Sequence, residues 1–320
     1  MSKSIKLIFN YFLAPLLFIV LCWTLYKQII NQEDLAERWL QVRQSWKNPV
    51  FWIVFFLMFI NWGIESYKWK VSLAALEKIS FFKAFRSVLA GCSITMLTPN
   101  RIGEYGGRII YLKEQNRFTA ISVTILGSMS QLMITMLVGT FSIICMKEVT
   151  DVDIASKTGS VLLIISIVTC IILLLAYFRV ATVVKVLEKL PFTQKIVKHL
   201  LILSGFSGKL LLRILFLSFL RYLIFILQYI LVLKVMKVSI PFADSFLLIA
   251  VFYLVMAIAP TAGFIELPVR AVASVQLFSI YSDNTVGIQA AAFAIWMINL
   301  VLPAILGSIM IFGVKILNER

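Results

Sequence analysis

Six long apolar stretches, separated by short polar segments, dominate the hydrophobic pattern of the chain. They cover residues 7–26, 49–67, 119–145, 160–178, 211–233 and 286–314. A helix of about 20 apolar residues is long enough to cross the roughly 30 Å hydrocarbon core of a bilayer. The pattern therefore predicts an all-α bundle with six membrane-spanning helices.

The first stretch has some features of a secretory signal, because Lys3 and Lys6 precede it. No small-residue cleavage site follows it before the charged segment 31–47. We therefore expect a retained first helix rather than a cleaved signal peptide.

Two further apolar stretches, residues 81–96 and 242–258, are shorter and end at a proline. The first stops at Thr98-Pro99-Asn100 and the second at Pro260-Thr261-Ala262-Gly263. Proline removes a backbone hydrogen bond, and lipid tolerates such a break only where protein or a wet cavity surrounds it. Both stretches are predicted to be re-entrant or broken helices.

Composition agrees with a membrane protein that has no sizeable soluble part. The 320 residues are 61% hydrophobic and only 14% charged, with a mean hydropathy of +0.97. Soluble domains are about 25% charged. We therefore expect a single integral membrane domain over residues 1–320.

The net charge of +15 bears on orientation and on partners. Most Lys and Arg residues fall in segments on the same side of the membrane as the N-terminus in the predicted topology. The positive-inside rule therefore places both termini in the cytoplasm. The segment 179–213 is the most basic. It is either an amphipathic segment on anionic lipid headgroups or ordinary charge flanking the spans. No nucleic-acid-binding module accompanies it, so we expect no nucleic-acid partner.

The two breaks resemble each other in sequence. Each has a proline that ends an apolar run, a glycine soon after, and then Glu-x-x-x-Arg: Glu104 with Arg108, and Glu266 with Arg270. In the predicted topology the two breaks are entered from opposite sides of the membrane. Broken helices repeated in opposite orientations are typical of a transporter's central site. The chain could thus consist of two pseudo-repeat halves, about 1–150 and 151–320.

These residue types suit a lipid phosphate. Glu and Arg four apart share one helix face and can pair, and a guanidinium donates two parallel hydrogen bonds to a phosphate. We predict that Arg108 and Arg270 hold a headgroup while Glu104 and Glu266 orient them or bind a substrate amine. The alternative is that both pairs only hold the broken helices in place.

For the other polar residues in or near the apolar stretches, the sequence gives less direct evidence of a place in the predicted site. Asn100 and Arg101 belong to the predicted site because they lie at the first break. Arg221 lies midway along a span, where it either reaches the cavity or extends to the interface. Glu65, with Asn61, is expected near the membrane interface.

Two small residues within the spans have a structural interpretation. Gly139 and Gly307 interrupt long apolar runs. They are expected at helix-packing contacts rather than in the site.

Motifs for several kinds of chemistry are missing from the sequence. There is no Gly-x-x-x-x-Gly-Lys-Ser/Thr, no His-Glu-x-x-His, no Gly-x-Ser-x-Gly and no Cys-x-x-Cys. With a single histidine, one chain cannot build a multi-histidine metal site. We therefore expect no cofactor, no metal and no recognisable catalytic residue.

The first break carries a resemblance to a known family. It resembles the signature of the lysylphosphatidylglycerol synthase transmembrane region, also called flippase-like, in Leu97-Thr98-Pro99-Asn100-Arg101-Ile102-Gly103-Glu104 followed by Arg108. The later Pro260, Gly263, Glu266 and Arg270 stand where that family has a similar, looser segment. In two-domain members this region is held to move an aminoacylated phospholipid to the outer leaflet of the bacterial cytoplasmic membrane. A synthase domain is not expected here, because Arg320 closely follows the last predicted span.

Three functions remain open at this point. The first is a lipid translocator for an anionic or aminoacylated phospholipid or a polyprenyl-phosphate-linked sugar. The second is an enzyme, or a subunit of one, that acts on a lipid-linked substrate with the same glutamates as acid or base. The third is a scaffold that recruits a separate synthase through its basic face. The sequence also leaves open whether the protein forms homo-oligomers.

Overall fold

The computed structural model describes residues 22–27, 29–30, 34–98, 102–149, 157–190, 194–258 and 266–318. All regular structure in these residues is helical, which confirms the all-α prediction. From Leu35 onward the helices are α1 Leu35–Gln44, α2 Pro49–Leu73, α3 Phe81–Leu97, α4 Gly103–Ile109, α5 Glu114–Val149, α6 Lys157–Phe178, α7 Val180–Glu188, α8 Gln194–Leu200, α9 Gly208–Val235, α10 Phe242–Ile258, α11 Glu266–Phe278, α12 Thr285–Trp296 and α13 Leu302–Asn318. A π-helical turn, Met297–Val301, joins α12 to α13.

Among the described residues, four helical segments are long and apolar enough to cross a membrane. They are Pro49–Leu73, Glu114–Met146, Gly208–Val235 and Thr285–Ile311. A fifth span is formed if Leu163–Phe178 and Val180–Glu188, which meet at a bend of 83°, count as one. Five of the six predicted spans thus have a counterpart, while the first, residues 7–26, lies almost wholly outside the described residues.

Local sequence explains where several helices begin. The Asn48 side chain accepts a hydrogen bond from the backbone N–H of Val50 (3.0 Å), and Pro49 occupies the first turn of α2. Side chains of Ser80, Ser207 and Asn284 cap α3, α9 and α12 in the same way. Such caps satisfy N–H groups that have no partner within the helix, which matters most where water is scarce.

Glycines set the closest helix contacts in the bundle. A Cβ at Gly307 of α13 would lie 1.9 Å from the carbonyl oxygen of Leu89 in α3, and one at Gly139 of α5 would lie 2.6 Å from the Leu254 Cβ of α10. No side chain fits at these separations. The prediction that Gly139 and Gly307 are packing positions is therefore confirmed.

The basic segment forms a small helical unit beside α5 and α9. Val180, Val184 and Val197 pack into an apolar cluster with Val123 of α5 and Leu211 of α9. The side chains of Lys185, Lys189, Lys198 and Lys209 are exposed. The segment is thus amphipathic, which agrees with the first of the two interpretations; its contact with anionic lipid remains a prediction.

The outer surface of the bundle is apolar, as lipid requires. Phe56, Phe216 and Ile309 are 64%, 58% and 65% exposed on three different helices. Near α1, the exposed side chains of Trp39 and Trp46 provide the aromatic groups typical of a membrane–water interface.

Candidate functional site

The first Glu-x-x-x-Arg motif is held against the bundle by a helical hairpin. α4 runs antiparallel to α3: Gly103 approaches Ile94, and Gly107 approaches Ala90, where an added Cβ would lie 2.5 Å from the Ala90 carbonyl oxygen. The Thr98 hydroxyl accepts a hydrogen bond from the Gly103 N–H at 2.8 Å. The predicted re-entrant helix is thus present, and it carries Glu104 and Arg108 into the interior.

Arg108 belongs to a buried group of charges that we call the ion cluster: Glu65, Lys68, Glu104, Arg108 and Arg221. Glu65 lies at its centre, with Oε1 bound by Arg108 (2.8 Å) and Oε2 bound by both Lys68 and Arg221 (2.8 Å each). Arg108 also pairs with Glu104. Three basic groups face two carboxylates, so the cluster has one surplus positive charge. It ties α2, α4 and α9 together.

Each cation of the cluster is fixed by further contacts. Lys68 donates to the Gly127 carbonyl and to the Ser218 hydroxyl, at 3.2 Å each, so its three N–H groups are used. Arg221 donates from Nε to the Asn61 Oδ1 at 2.7 Å and lies over the ring of Trp62, 4.8 Å from its centroid. Such contacts offset part of the cost of burying charge in a bilayer.

The second motif begins α11. Arg270 donates from Nε and Nη2 to the same Glu266 oxygen, at 3.0 and 2.7 Å. The arginine of this pair is less enclosed than Arg108, since the side chain of Arg270 is 13% exposed and that of Arg108 only 3%. Within the described residues no ion pair joins this motif to the first one.

The two motifs nevertheless face two adjoining cavities. The Arg270 chamber, about 230 Å³, is lined by Glu266, Arg270 and Arg221 among others. The Glu104 chamber, about 480 Å³, is lined by Glu104, Glu65 and Lys68, and again by Arg221. The shared wall consists of Trp62, Gln131, Thr135, Arg221, Met256, Ala257 and Leu300.

Arg108 occupies a different position from the other site arginines. It is not among the described residues that line either chamber, because Glu65 and Glu104 enclose its guanidinium behind the wall. Among the described residues, Arg221 and Arg270 are therefore the arginines that a ligand in the chambers could contact.

A third cavity gives the site an apolar side. This apolar groove, about 680 Å³, runs between α5, α6 and α10 and is lined by side chains such as Met136, Leu173 and Leu254. It meets the Glu104 chamber at Leu132, Ala257 and Ile258. Ala257 lines all three cavities, which therefore border one another at this residue; we call this place the junction.

Side chains in the wall of the Arg270 chamber carry buried polar atoms that have no hydrogen-bond partner among the described residues. They are Trp62 Nε1, Gln131 Oε1, the hydroxyls of Tyr222 and Tyr253, Trp296 Nε1, and both side-chain atoms of Asn299. Leaving such a group unpaired costs about 1–3 kcal/mol. These atoms are themselves buried, so they lie behind the chamber surface instead of facing it.

Asn299 owes its position to the π-helical turn. Pro303 follows that turn and lacks the N–H that would bond to the Asn299 carbonyl in an α-helix. A π-helical turn accommodates this loss and rotates the preceding side chains. Asn299 is brought into the chamber wall in this way.

The sequence located part of this site and missed part. Glu104, Arg108, Glu266, Arg270 and Arg221 all lie at the chambers or directly behind their wall, and Arg221 reaches the cavity instead of the interface. Asn100 and Arg101, like the Pro260–Gly263 break, lie outside the described residues.

The prediction for Glu65 was wrong. Glu65 is only 2% exposed, and it binds three cations instead of lying at the membrane interface. Lys68 was not singled out at all. The available signal was the spacing of Asn61, Glu65 and Lys68, which places all three on one face of α2.

Comparisons with known proteins complete the description. Neither the curated proteins nor the solved structures include a significant match to this chain. The sequence model of the lysylphosphatidylglycerol synthase TM region family matches residues 11–307, which is nearly the whole chain. The fold and this match agree: the chain is a membrane protein that belongs to the lysylphosphatidylglycerol synthase TM region family.

Proposed function

We propose that this protein moves a phosphate-bearing lipid, either a phospholipid or a polyprenyl-phosphate-linked lipid, across the membrane. The headgroup would pass through the two chambers while the chains remain in the apolar groove. One observation carries the proposal: Ala257 lines both polar chambers and the groove, so the three cavities border one another at this residue. Such a junction suits an amphipathic molecule better than a small free anion.

The chemistry of the chambers supports passage of a headgroup. A polar group that enters hydrocarbon loses its hydrogen bonds to water, which costs several kcal/mol. The chambers offer replacements in the guanidinium groups of Arg221 and Arg270. Membership of a family linked to lipid synthesis and flipping is consistent with this role. We further propose a bacterial cytoplasmic membrane, with both termini in the cytoplasm.

A scrambling assay tests the proposal. Purified protein is reconstituted in liposomes that contain phosphatidylglycerol with a fluorescent group on one chain, and dithionite then bleaches the label in the outer leaflet. Wild type should expose inner-leaflet label to bleaching. Ala257→Trp should abolish this exposure, because the indole would fill the junction without removing a charge. Ala75→Trp makes the same change in the exposed turn after α2 and should behave as wild type.

Two results would count against translocation. One is bleaching equal to that of protein-free liposomes; the other is an Ala257→Trp rate equal to wild type. Conversion of the lipid into a new product by the purified protein alone, seen by mass spectrometry, would favour an enzyme instead.

A further inference from the structure

The chambers contain fixed charges of both signs, but these are not equally available to a ligand. The described residues of the two motifs and the ion cluster supply four basic groups, Lys68, Arg108, Arg221 and Arg270, and three carboxylates, Glu65, Glu104 and Glu266. The site therefore has one surplus positive charge before any ligand binds.

Each of the three carboxylates already has a basic partner. Glu65 binds three cations, Glu104 binds Arg108, and Glu266 binds Arg270, each within hydrogen-bonding distance. A ligand ammonium group would have to compete with a guanidinium at every one of them. Arginine keeps its charge at any relevant pH, so deprotonation would not release these carboxylates.

The two arginines that line the Arg270 chamber retain donors. Arg221 uses Nε and Nη1 for Asn61 and Glu65, and Arg270 uses Nε and Nη2 for Glu266. Within the described part of the chain, this leaves Nη2 of Arg221 and Nη1 of Arg270 for a ligand. Both belong to planar groups suited to phosphate oxygens.

The rest of the described wall is uncharged and does not favour either sign of charge. The indole groups of Trp62 and Trp296 can only donate hydrogen bonds and the hydroxyls of Tyr222 and Tyr253 can donate or accept, whereas the amide oxygens of Gln131 and Asn299 accept. Aromatic faces could attract an ammonium group. However, Arg221 already lies over the rings of Trp62 and Phe225, with centroid distances of 4.8 and 5.2 Å.

We infer that the Arg270 chamber is selective for a headgroup with net negative charge: a phosphate that carries no ammonium group, held between Arg221 and Arg270. This inference rests on the proposed function, because it narrows the class of lipid that the site accepts. Arg108 is a positioning residue here. It acts through Glu65, which in turn fixes the guanidinium of Arg221.

A competition experiment tests the selectivity by binding rather than by transport. The full-length protein in nanodiscs of neutral phosphatidylcholine is titrated with fluorescent phosphatidylglycerol. Unlabelled phosphatidylglycerol or lysyl-phosphatidylglycerol, which differ by an aminoacyl group with ammonium charges, then competes for the site. We expect phosphatidylglycerol to compete about tenfold better, the difference that one charge-assisted contact supplies.

Variants locate the binding site within the chain. Arg270→Gln should weaken phosphatidylglycerol binding about tenfold and reduce the preference between the two competitors. Arg213→Gln removes the same charge from α9, where Arg213 is exposed and contacts Tyr67, and should leave binding unchanged. The wild-type competition decides the question even if Arg270→Gln does not fold.

Equal or better competition by lysyl-phosphatidylglycerol in the wild type would overturn the inference while leaving translocation intact. Selective phosphatidylglycerol binding in a protein that scrambles no lipid would have the opposite meaning. The anionic site would then stand, and the proposed translocation would fail.

Discussion

The two Glu-x-x-x-Arg motifs have the same spacing and opposite surroundings. Arg108 is enclosed by Glu65 and Glu104, and its helix packs on α3 through two glycines. Arg270 pairs with Glu266 on the wall of a chamber. The arginine of the first motif therefore lies behind the wall while Glu104 faces a chamber, whereas the arginine of the second motif itself faces the space where a ligand can bind.

The difference arises from a residue outside both motifs. Glu65, in α2, draws Arg108 away from the chambers and brings Arg221 to their shared wall. The arginine that serves the Glu104 chamber is thus supplied by α9 instead of the motif itself. The spacing of a local motif determines which residues form an ion pair. A partner distant in sequence, here Glu65, determines whether the arginine of that pair faces the chamber or lies behind its wall.

The largest expected effect comes from removing the centre of the ion cluster. Glu65→Gln would leave Lys68, Arg108 and Arg221 with a single carboxylate, Glu104, among them. Breaking a buried charge network in this way should cost about 3–5 kcal/mol of unfolding free energy. Thermal unfolding in detergent measures it. Glu114→Gln, at a carboxylate 90% exposed, is the control, and equal transition temperatures for the two variants would refute the structural role of Glu65.

The next largest effect is expected from a substitution at the tight packing contact of the first motif. Gly107→Ala would place a Cβ 2.5 Å from the Ala90 carbonyl oxygen, whereas Gly106→Ala meets nothing within 4 Å. The first substitution should destabilise the protein by about 1–3 kcal/mol through overpacking. The second should be neutral or slightly stabilising. If both variants unfold at the wild-type temperature, the close α3–α4 contact is not a feature of the folded protein.

Substitution of the two motif arginines should separate an effect on protein stability from an effect on phosphatidylglycerol binding. Arg108→Gln leaves Glu104 without its partner and should cost about 1–3 kcal/mol of stability. Arg270→Gln should cost less, because its guanidinium is more exposed than that of Arg108, but should weaken phosphatidylglycerol binding about tenfold. Parallel thermal unfolding and nanodisc binding give both quantities. Identical profiles for the two variants would remove the distinction between the motifs.

The smallest effect concerns a carboxylate outside the spans, Glu77, between α2 and α3. Burial alone would raise its pKa, but hydrogen bonds from Asn116, Lys83 and the Lys113 N–H together hold the pKa below its ordinary value of 4.5. A lowered pKa in the folded state means that this stabilisation is complete above the unfolded-state pKa and is lost as pH falls through the folded one. Glu77→Gln should therefore lower stability by about 1 kcal/mol at pH 7.

The pH dependence provides the check on Glu77. The gap in unfolding temperature between wild type and Glu77→Gln should close as the pH is lowered below 4.5. A gap that stays constant with pH would show that the carboxylate charge contributes nothing at this position.

Sequence reasoning recovered the features that depend on local pattern. Hydropathy predicted the spans, and proline positions predicted the α3–α4 re-entrant hairpin. The Glu-x-x-x-Arg spacing predicted both ion pairs. These features depend on residues that are close together in the chain, so the sequence alone shows them.

The rest depends on residues that are distant in sequence. Glu65 lies at the end of an apolar run, where a charge is usually interfacial, and only its contacts with Arg108 and Arg221 make burial tolerable. The junction at Ala257 depends on how α5, α6 and α10 pack. A small apolar residue gives no sequence signal for such a position.

In the proposed function, two polar chambers and one apolar groove form a single lipid site. The direct measurement is an electron cryomicroscopy structure of the protein in nanodiscs that contain phosphatidylglycerol. We predict phosphate density between Arg221 and Arg270, continuous past Ala257 with an acyl chain in the groove between α5, α6 and α10. Empty chambers beside a filled groove, or a headgroup whose chains leave by another route, would contradict the account.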